Sequence, residues 1–146
     1  MILVTVDTVS YDAQTSLYRV NLKDHITGKV MSIFVGAFEG NAITIAIRGV
    51  PTARPLTHDL MAGMIAQLDG RVDRVVVSDL KDNIYYAHIY IRQDDRELAV
   101  DSRPSDSIAL ATRLRVPIYV SNQLADKFVD EYEEMMSQSE PGETVH

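Results

Sequence analysis

The sequence predicts an α+β domain in which helices pack on a β-sheet, built from a β-β-β-α unit that occurs twice. Three observations carry this. Alternating apolar segments come in threes, over residues 3–35 and again over 71–100; each trio is followed by a segment of helical character; and those two segments align with each other.

Taken in order, Leu3 to Val9, Tyr18-Val20-Leu22 and Val30 to Val35 alternate in polarity, with turn chemistry at Tyr11-Asp12 and Asp24 to Gly28 between them. This predicts three strands. Glu39-Gly40-Asn41 then opens a run holding Ala42, Ile43, Ile45, Ala46 and Ile47, too continuously apolar to show one stripe, whose opening favours a buried helix over 39–47. Gly49 to Pro55, with two prolines, breaks the pattern. Thr57 is placed to cap a helix over 57–69 with Leu60, Met61, Met64, Ile65 and Leu68 as its apolar positions, and Gly70 ends it. Strands are expected again at 71–80, 84–92 and 97–100, separated by Lys81-Asp82-Asn83 and Gln93-Asp94-Asp95. Pro104 in a first turn, with Ile108, Leu110, Ala111 and Leu114, predicts a helix over 104–114. Pro117 to Val120 reads as a short strand. Asn122 to Met136 reads as a final amphipathic helix carrying Leu124, Phe128, Tyr132 and Met135. One domain is therefore expected over 1–135, with an acidic, disordered tail at 136–146.

Placing Val35–Ala46 over Val100–Ala111 sets Val35 on Val100, Ile43 on Ile108 and Ala46 on Ala111. With four extra residues allowed in the Asp24 to Gly28 loop, Val20 and Leu22 fall on Ile89 and Ile91. The expectation is an internal duplication, with repeat halves at about 1–48 and 71–120 sharing one sheet and one core, and the 57–69 helix between them.

A chain of 146 residues can bury roughly 70% of its unfolded surface, so it needs no covalent staple. It has no cysteine, which excludes disulfides, thiolate nucleophiles and thiolate zinc sites and makes the cytoplasm the expected location. The opening MILVTVDTV is short, lacks a leading positive charge and carries Asp7, so it reads as a strand and no membrane association is expected. The net charge of −7 is unevenly spread: residues 121–146 carry seven acids and one lysine, whereas residues 1–120 carry fourteen acids and thirteen bases. The body is close to neutral, and neither repels nor invites nucleic acid.

Two motifs could carry chemistry. Where the first half has Gly36, Phe38 and Asn41, the second has Asp101, Arg103 and Asp106. The unit folds without charge at these positions, so the second strand-to-helix turn is the better candidate. Two carboxylates flanking an arginine at a helix start could hold a divalent cation and a phosphate oxygen together. Ser105 or Asp106 is equally an ordinary cap or first-turn residue, and Asp beside Arg an ordinary surface pair. The second motif is Arg54-Pro-Leu-Thr-His-Asp59. His58 and Asp59 fall in the first turn of their helix, where the dipole favours a neutral imidazole able to act as base or ligand. Plain hydrogen-bond satisfaction at the cap also explains them. His88, between Tyr86 and Tyr90, reads as a partly buried sheet residue. Phosphate loops, HExxH and nucleophile elbows are absent.

Arg54 to Met61, and Asp101 to Ala111 followed by Pro117 to Val120, resemble the bifunctional nuclease family, over nearly all of residues 1–135. Family members are described as cleaving both DNA and RNA. The resemblance implies nuclease activity on nucleic acid and a divalent ion, Mg²⁺ or Mn²⁺. The polar residues that match are Arg54, Thr57, His58, Asp59, Asp101, Arg103, Ser105 and Asp106. Roles assigned to them by chemistry put the metal on Asp101 and Asp106, with His58 orienting or deprotonating water beside Asp59. Arg54 and Arg103 would hold the scissile phosphate. A shared site requires both helix starts to open on one cleft. The competing reading is a non-catalytic, oligomeric module binding a small anion or a protein. No aromatic platform among basic residues is evident in the linear sequence. A homodimer or higher homo-oligomer is expected, because the apolar strands and the Met61, Met64 helix leave surface for a partner to cover.

Overall fold

The computed structural model describes residues 1–138. Its elements run β1 (Ile2–Asp12), β2 (Leu17–Asp24), β3 (Val30–Val35), α1 (Ala37–Arg48), α2 (Thr57–Gln67), β4 (Gly70–Lys81), β5 (Ile84–Gln93), β6 (Arg96–Ser102), α3 (Pro104–Leu114), β7 (Ile118–Val120) and α4 (Glu131–Gln138), with a 3-10 helix at Asn122–Lys127. The fold is α+β: seven strands form one sheet in the order β3-β2-β1-β7-β4-β5-β6, with the helices packed against it. β7 is antiparallel to β1 and parallel to β4, and a three-stranded antiparallel meander lies on each side of it. The order reads the same outward from β7 in both directions. Common descent of the two halves is a proposal that rests on the sequence alignment.

Local chemistry sets the hairpins. Asp82 and Asn83 both have positive φ, 51° and 62°, which gives the two-residue turn whose twist suits the strands it joins. One sheet face is apolar: Val20, Leu22, Met31, Ile33, Val75, Val77, Ile89 and Val120 form the core with Ile43 of α1 and with Ile108, Leu110 and Ala111 of α3. α1 and α3 therefore lie side by side on that face and α2 rests on α3 and β4. The sheet twists enough that the end of β3, the β4–β5 turn and Arg103 line one cleft of about 370 Å³. α4 covers the other face of β2 through ion pairs of Arg19 with Glu134 and of Lys23 with Glu131, the latter at 3.2 Å.

The single helix expected over 122–136 is interrupted. The 3-10 turn stops at Phe128, which is buried in extended conformation, and Val129 exchanges two 2.9 Å backbone hydrogen bonds with Val30. Pairing the open edge of β3 outweighs continued helix there, because an unpaired strand edge leaves backbone groups without partners. Residues 136–138 of the segment expected to be disordered close α4; the rest of it lies outside the described residues. Among the described residues no helix is long and apolar enough to cross a membrane.

Candidate functional site

α1, α2 and α3 all begin beside one pocket of about 420 Å³. Phe38, Glu39, Asn41, Ala42, Ile45 and Ala46 of α1 line one side; Leu56 to Asp59 at the start of α2, with Arg103, Asp106 and Arg113, line the other. At its centre His58 Nε2 lies 3.1 Å from Asp106 Oδ1. Arg103 donates from Nε to Asp106 Oδ2 at 2.9 Å and from Nη2 to Oδ1 at 3.2 Å, and its Nη1 reaches Glu39 Oε1 at 3.4 Å.

The local sequence builds this arrangement. Arg103 is the extended residue before α3, Pro104 opens the helix, and Asp106 falls in the first turn, where helix N–H groups favour a carboxylate. In α2, Leu56 occupies the cap position and Thr57 is the first helical residue, so Thr57 does not cap as the sequence suggested. The reason is Asp59, whose Oδ2 reaches back to accept the Leu56 N–H at 3.0 Å. Asp59 also takes both nitrogens of the Arg113 fork: Nε pairs with Oδ1, and Nη2 donates to Oδ2 at 2.9 Å. Two consecutive residues thus grip α3 at both ends, His58 at its first turn and Asp59 at its last.

Both carboxylates are held ionised. Burial pushes the Asp106 carboxyl up, but the hydrogen bonds from Arg103 and His58, with the charge of Arg103, outweigh it and hold the group below the usual range. For Asp59 the Arg113 hydrogen bond is the largest influence, followed by the Leu56 N–H, and its pKa is likewise lowered. The arginines respond in kind, with Arg103 raised chiefly by Asp106 and Arg113 by Asp59.

Other residues singled out by sequence lie elsewhere. Asp101 is in register with His88 across β5–β6. Ala87 and Ile89 are buried towards the helices, so His88 and Asp101 point to the opposite face of the sheet. Asp101 and Asp106 therefore do not converge into the expected cation pair; the strand's two-residue alternation sends Asp101 away before the helix begins. Arg54 is exposed in the loop before α2 and does not line the pocket, and Ser105, the second residue of α3, is buried and does not line it either. Conversely, Glu39, Arg113 and Phe38 belong to the site without having been read as such. Arg113 follows Asp106 by seven residues on one helical face, a spacing visible in the sequence; nothing linear pairs Glu39 with Arg103.

The donor set does not fit Mg²⁺ or Mn²⁺ as arranged. Among the described residues no three His, Cys, Asp or Glu side chains are placed to hold a metal. Asp106 has both oxygens engaged, and the Arg103 cation bonds both Asp106 and Glu39, the oxygen donors a hard cation would seek.

Fold and site together define an α+β domain with a pocket at converging helix starts, apolar on its α1 side and charged on the other. The chain belongs to the bifunctional nuclease domain family, whose model matches residues 20–131 and so includes every residue of the pocket. It is 41% identical over 92 residues to Uncharacterized protein Rv1829 of Mycobacterium tuberculosis, covering 63% of this chain and 54% of that one. It is 30% identical over 102 residues to Bifunctional nuclease 2 of Arabidopsis thaliana, covering 68% and 31%, and 35% identical over 83 residues to Bifunctional nuclease 2 of Oryza sativa subsp. japonica, covering 55% and 26%. The chain spans about half the length of the mycobacterial relative and a quarter to a third of the plant ones.

Proposed function

We propose that this domain hydrolyses phosphodiester bonds of DNA or RNA at the His58–Asp106 pair. The 3.1 Å contact between them is the observation that supports it. With Asp106 ionised, an imidazole that donates its Nε2 proton to the carboxylate leaves Nδ1 unprotonated, and among the described residues no group hydrogen-bonds Nδ1. Such a nitrogen can take a proton from an attacking water. Arg103 and the starts of three helices supply positive potential where charge grows on the phosphate. Asp59 is a positioning residue in this scheme, since Arg113 and the Leu56 N–H occupy its oxygens. Arg54, exposed ahead of α2, is available to a neighbouring phosphate.

A second reading, a non-catalytic module for a small anion or a protein, is favoured by one observation: Arg103 and Arg113 are already paired with carboxylates of this chain. Cleavage of labelled DNA and RNA separates the two. Wild type, His58→Ala and Asp106→Asn, purified in parallel, are assayed with Mg²⁺, Mn²⁺ or EDTA, which also decides whether an ion serves the reaction. The proposal expects cleavage by wild type and a loss of about 100-fold or more in His58→Ala. Activity equal in all three, or vanishing from all three as purity rises, contradicts it and leaves the binding module.

A further inference from the structure

Phe38 is 90% exposed in the first turn of α1. It lines the pocket with Asn41, Ala42 and Ile45, positions i, i+3, i+4 and i+7 of one helical stripe. The fold uses that stripe only in part: α1 turns Gly40, Ile43 and Ala46 towards the core and Ala42 packs partly against it, while Phe38 and Asn41 stay exposed. α1 therefore gives the pocket an apolar wall with an aromatic ring at one end and an amide beside it. The facing wall carries Arg103 and His58 at the positive ends of helices. Glu39, the acid on the α1 side, is tied to Arg103 at 3.4 Å and is not left facing a ligand as an unpaired charge.

One wall suits an apolar, flat group and the other an anion, which is the chemistry of a single nucleotide whose base is unstacked. In a duplex the base faces are buried against their neighbours and cannot reach such a wall, whereas in a single strand they can. We infer that the pocket selects single-stranded nucleic acid by taking one unstacked base, with Phe38 on its face and the Asn41 amide at its hydrogen-bonding edge. The adjoining phosphate lies towards Arg103 and His58. The identity of the ligand as nucleic acid rests on the proposed hydrolase reading; the division of the pocket into base and phosphate sides does not.

The experiment measures binding of a fluorescent oligothymidylate and of a duplex of equal length by anisotropy, in His58→Ala protein to prevent turnover, with Phe38 intact or changed to Ala or Tyr. Phe38→Ala removes an exposed side chain, and a thermal melt confirms that it folds. The single strand is expected to bind more tightly than the duplex. Phe38→Ala should weaken single-strand binding by about tenfold with little effect on the duplex, and Phe38→Tyr should restore it. Equal affinity for both ligands, or indifference to Phe38→Ala, overturns the inference. If wild type cleaves nucleic acid while Phe38 proves irrelevant, the base subsite fails and the hydrolase reading survives. If Phe38-dependent single-strand binding occurs without cleavage by wild type, the subsite stands and the hydrolase reading fails.

Discussion

His58 Nε2 and Asp106 Oδ1 meet at 3.1 Å across 48 residues of sequence, and the contact joins the start of α2 to the start of α3. Its neighbour makes the join rigid, because Asp59 binds Arg113 one helix length further on. The polar chemistry of the pocket depends on this double grip, and its consequences can be measured.

The Asp59–Arg113 pair is part-buried, with side-chain exposures of 21% and 19%, so breaking it leaves a charge poorly solvated. Asp59→Ala should lower the urea midpoint of unfolding, because it removes the acceptor of both Arg113 and the Leu56 N–H. A double-mutant cycle with Arg113→Ala should return a clearly non-zero coupling energy. Additive effects would mean that the contact contributes nothing.

Stability should fall in acid in a way that Asp59→Asn blunts. The carboxyls of Asp59 and Asp106 have folded-state pKa values below the unfolded value of about 3.9. Between folded and unfolded values the unfolded chain binds more protons, so stability rises with pH there. The contribution is complete above about pH 5 and is lost as pH falls through the folded values. In thermal melts the gap between wild type and Asp59→Asn should therefore be wide at pH 7 and narrow towards pH 2. A gap independent of pH would refute the ionised pairing.

Gly40 is a helix residue buried against β2, and a Cβ built on it would sit 2.9 Å from both Cβ and Cγ of Tyr18. Alanine normally gains about 1 kcal/mol over glycine in a helix, while overpacking a core costs about 1–3 kcal/mol. The Tyr18 Cβ is fixed to its strand and cannot swing away, so the clash should win. Gly40→Ala is expected to lower the melting temperature, and a rise would show that α1 sits further from the sheet.

Leu60 and Met64 are 55% and 56% exposed along one side of α2, and Leu68, just past its end, is 66% exposed. A second copy of the chain is the proposed cover, giving a homodimer or higher homo-oligomer. Sedimentation at micromolar concentration should show an assembly that Met64→Glu dissociates. A wild-type monomer at that concentration excludes it.

Much of the fold was legible in the sequence because strand alternation and helix punctuation are local signals. α3 begins at Pro104 and ends at Leu114 as expected, and β3 spans Val30–Val35 as expected. The break at Phe128–Val129 was not legible, since it answers the unpaired edge of β3, far away in the chain. At the site, the Asp101 and Asp106 spacing looked like a cation pair, but β6 holds Asp101 opposite His88 and turns it from the helices. Phe38 and Arg103 aligned as counterparts in the two halves, so Phe38 read as a position without charge. In the folded chain both line one pocket, a juxtaposition that only tertiary structure creates.

The central claim, that His58 and Asp106 act as one unit on a phosphodiester, is tested most directly by kcat/KM for single-strand cleavage in His58→Ala, Asp106→Asn and the double variant. A fall of about 100- to 10,000-fold is expected in His58→Ala, with a substantial fall in Asp106→Asn and a double variant no worse than His58→Ala alone. Wild-type activity in purified His58→Ala, or losses that multiply in the double variant, would contradict the claim.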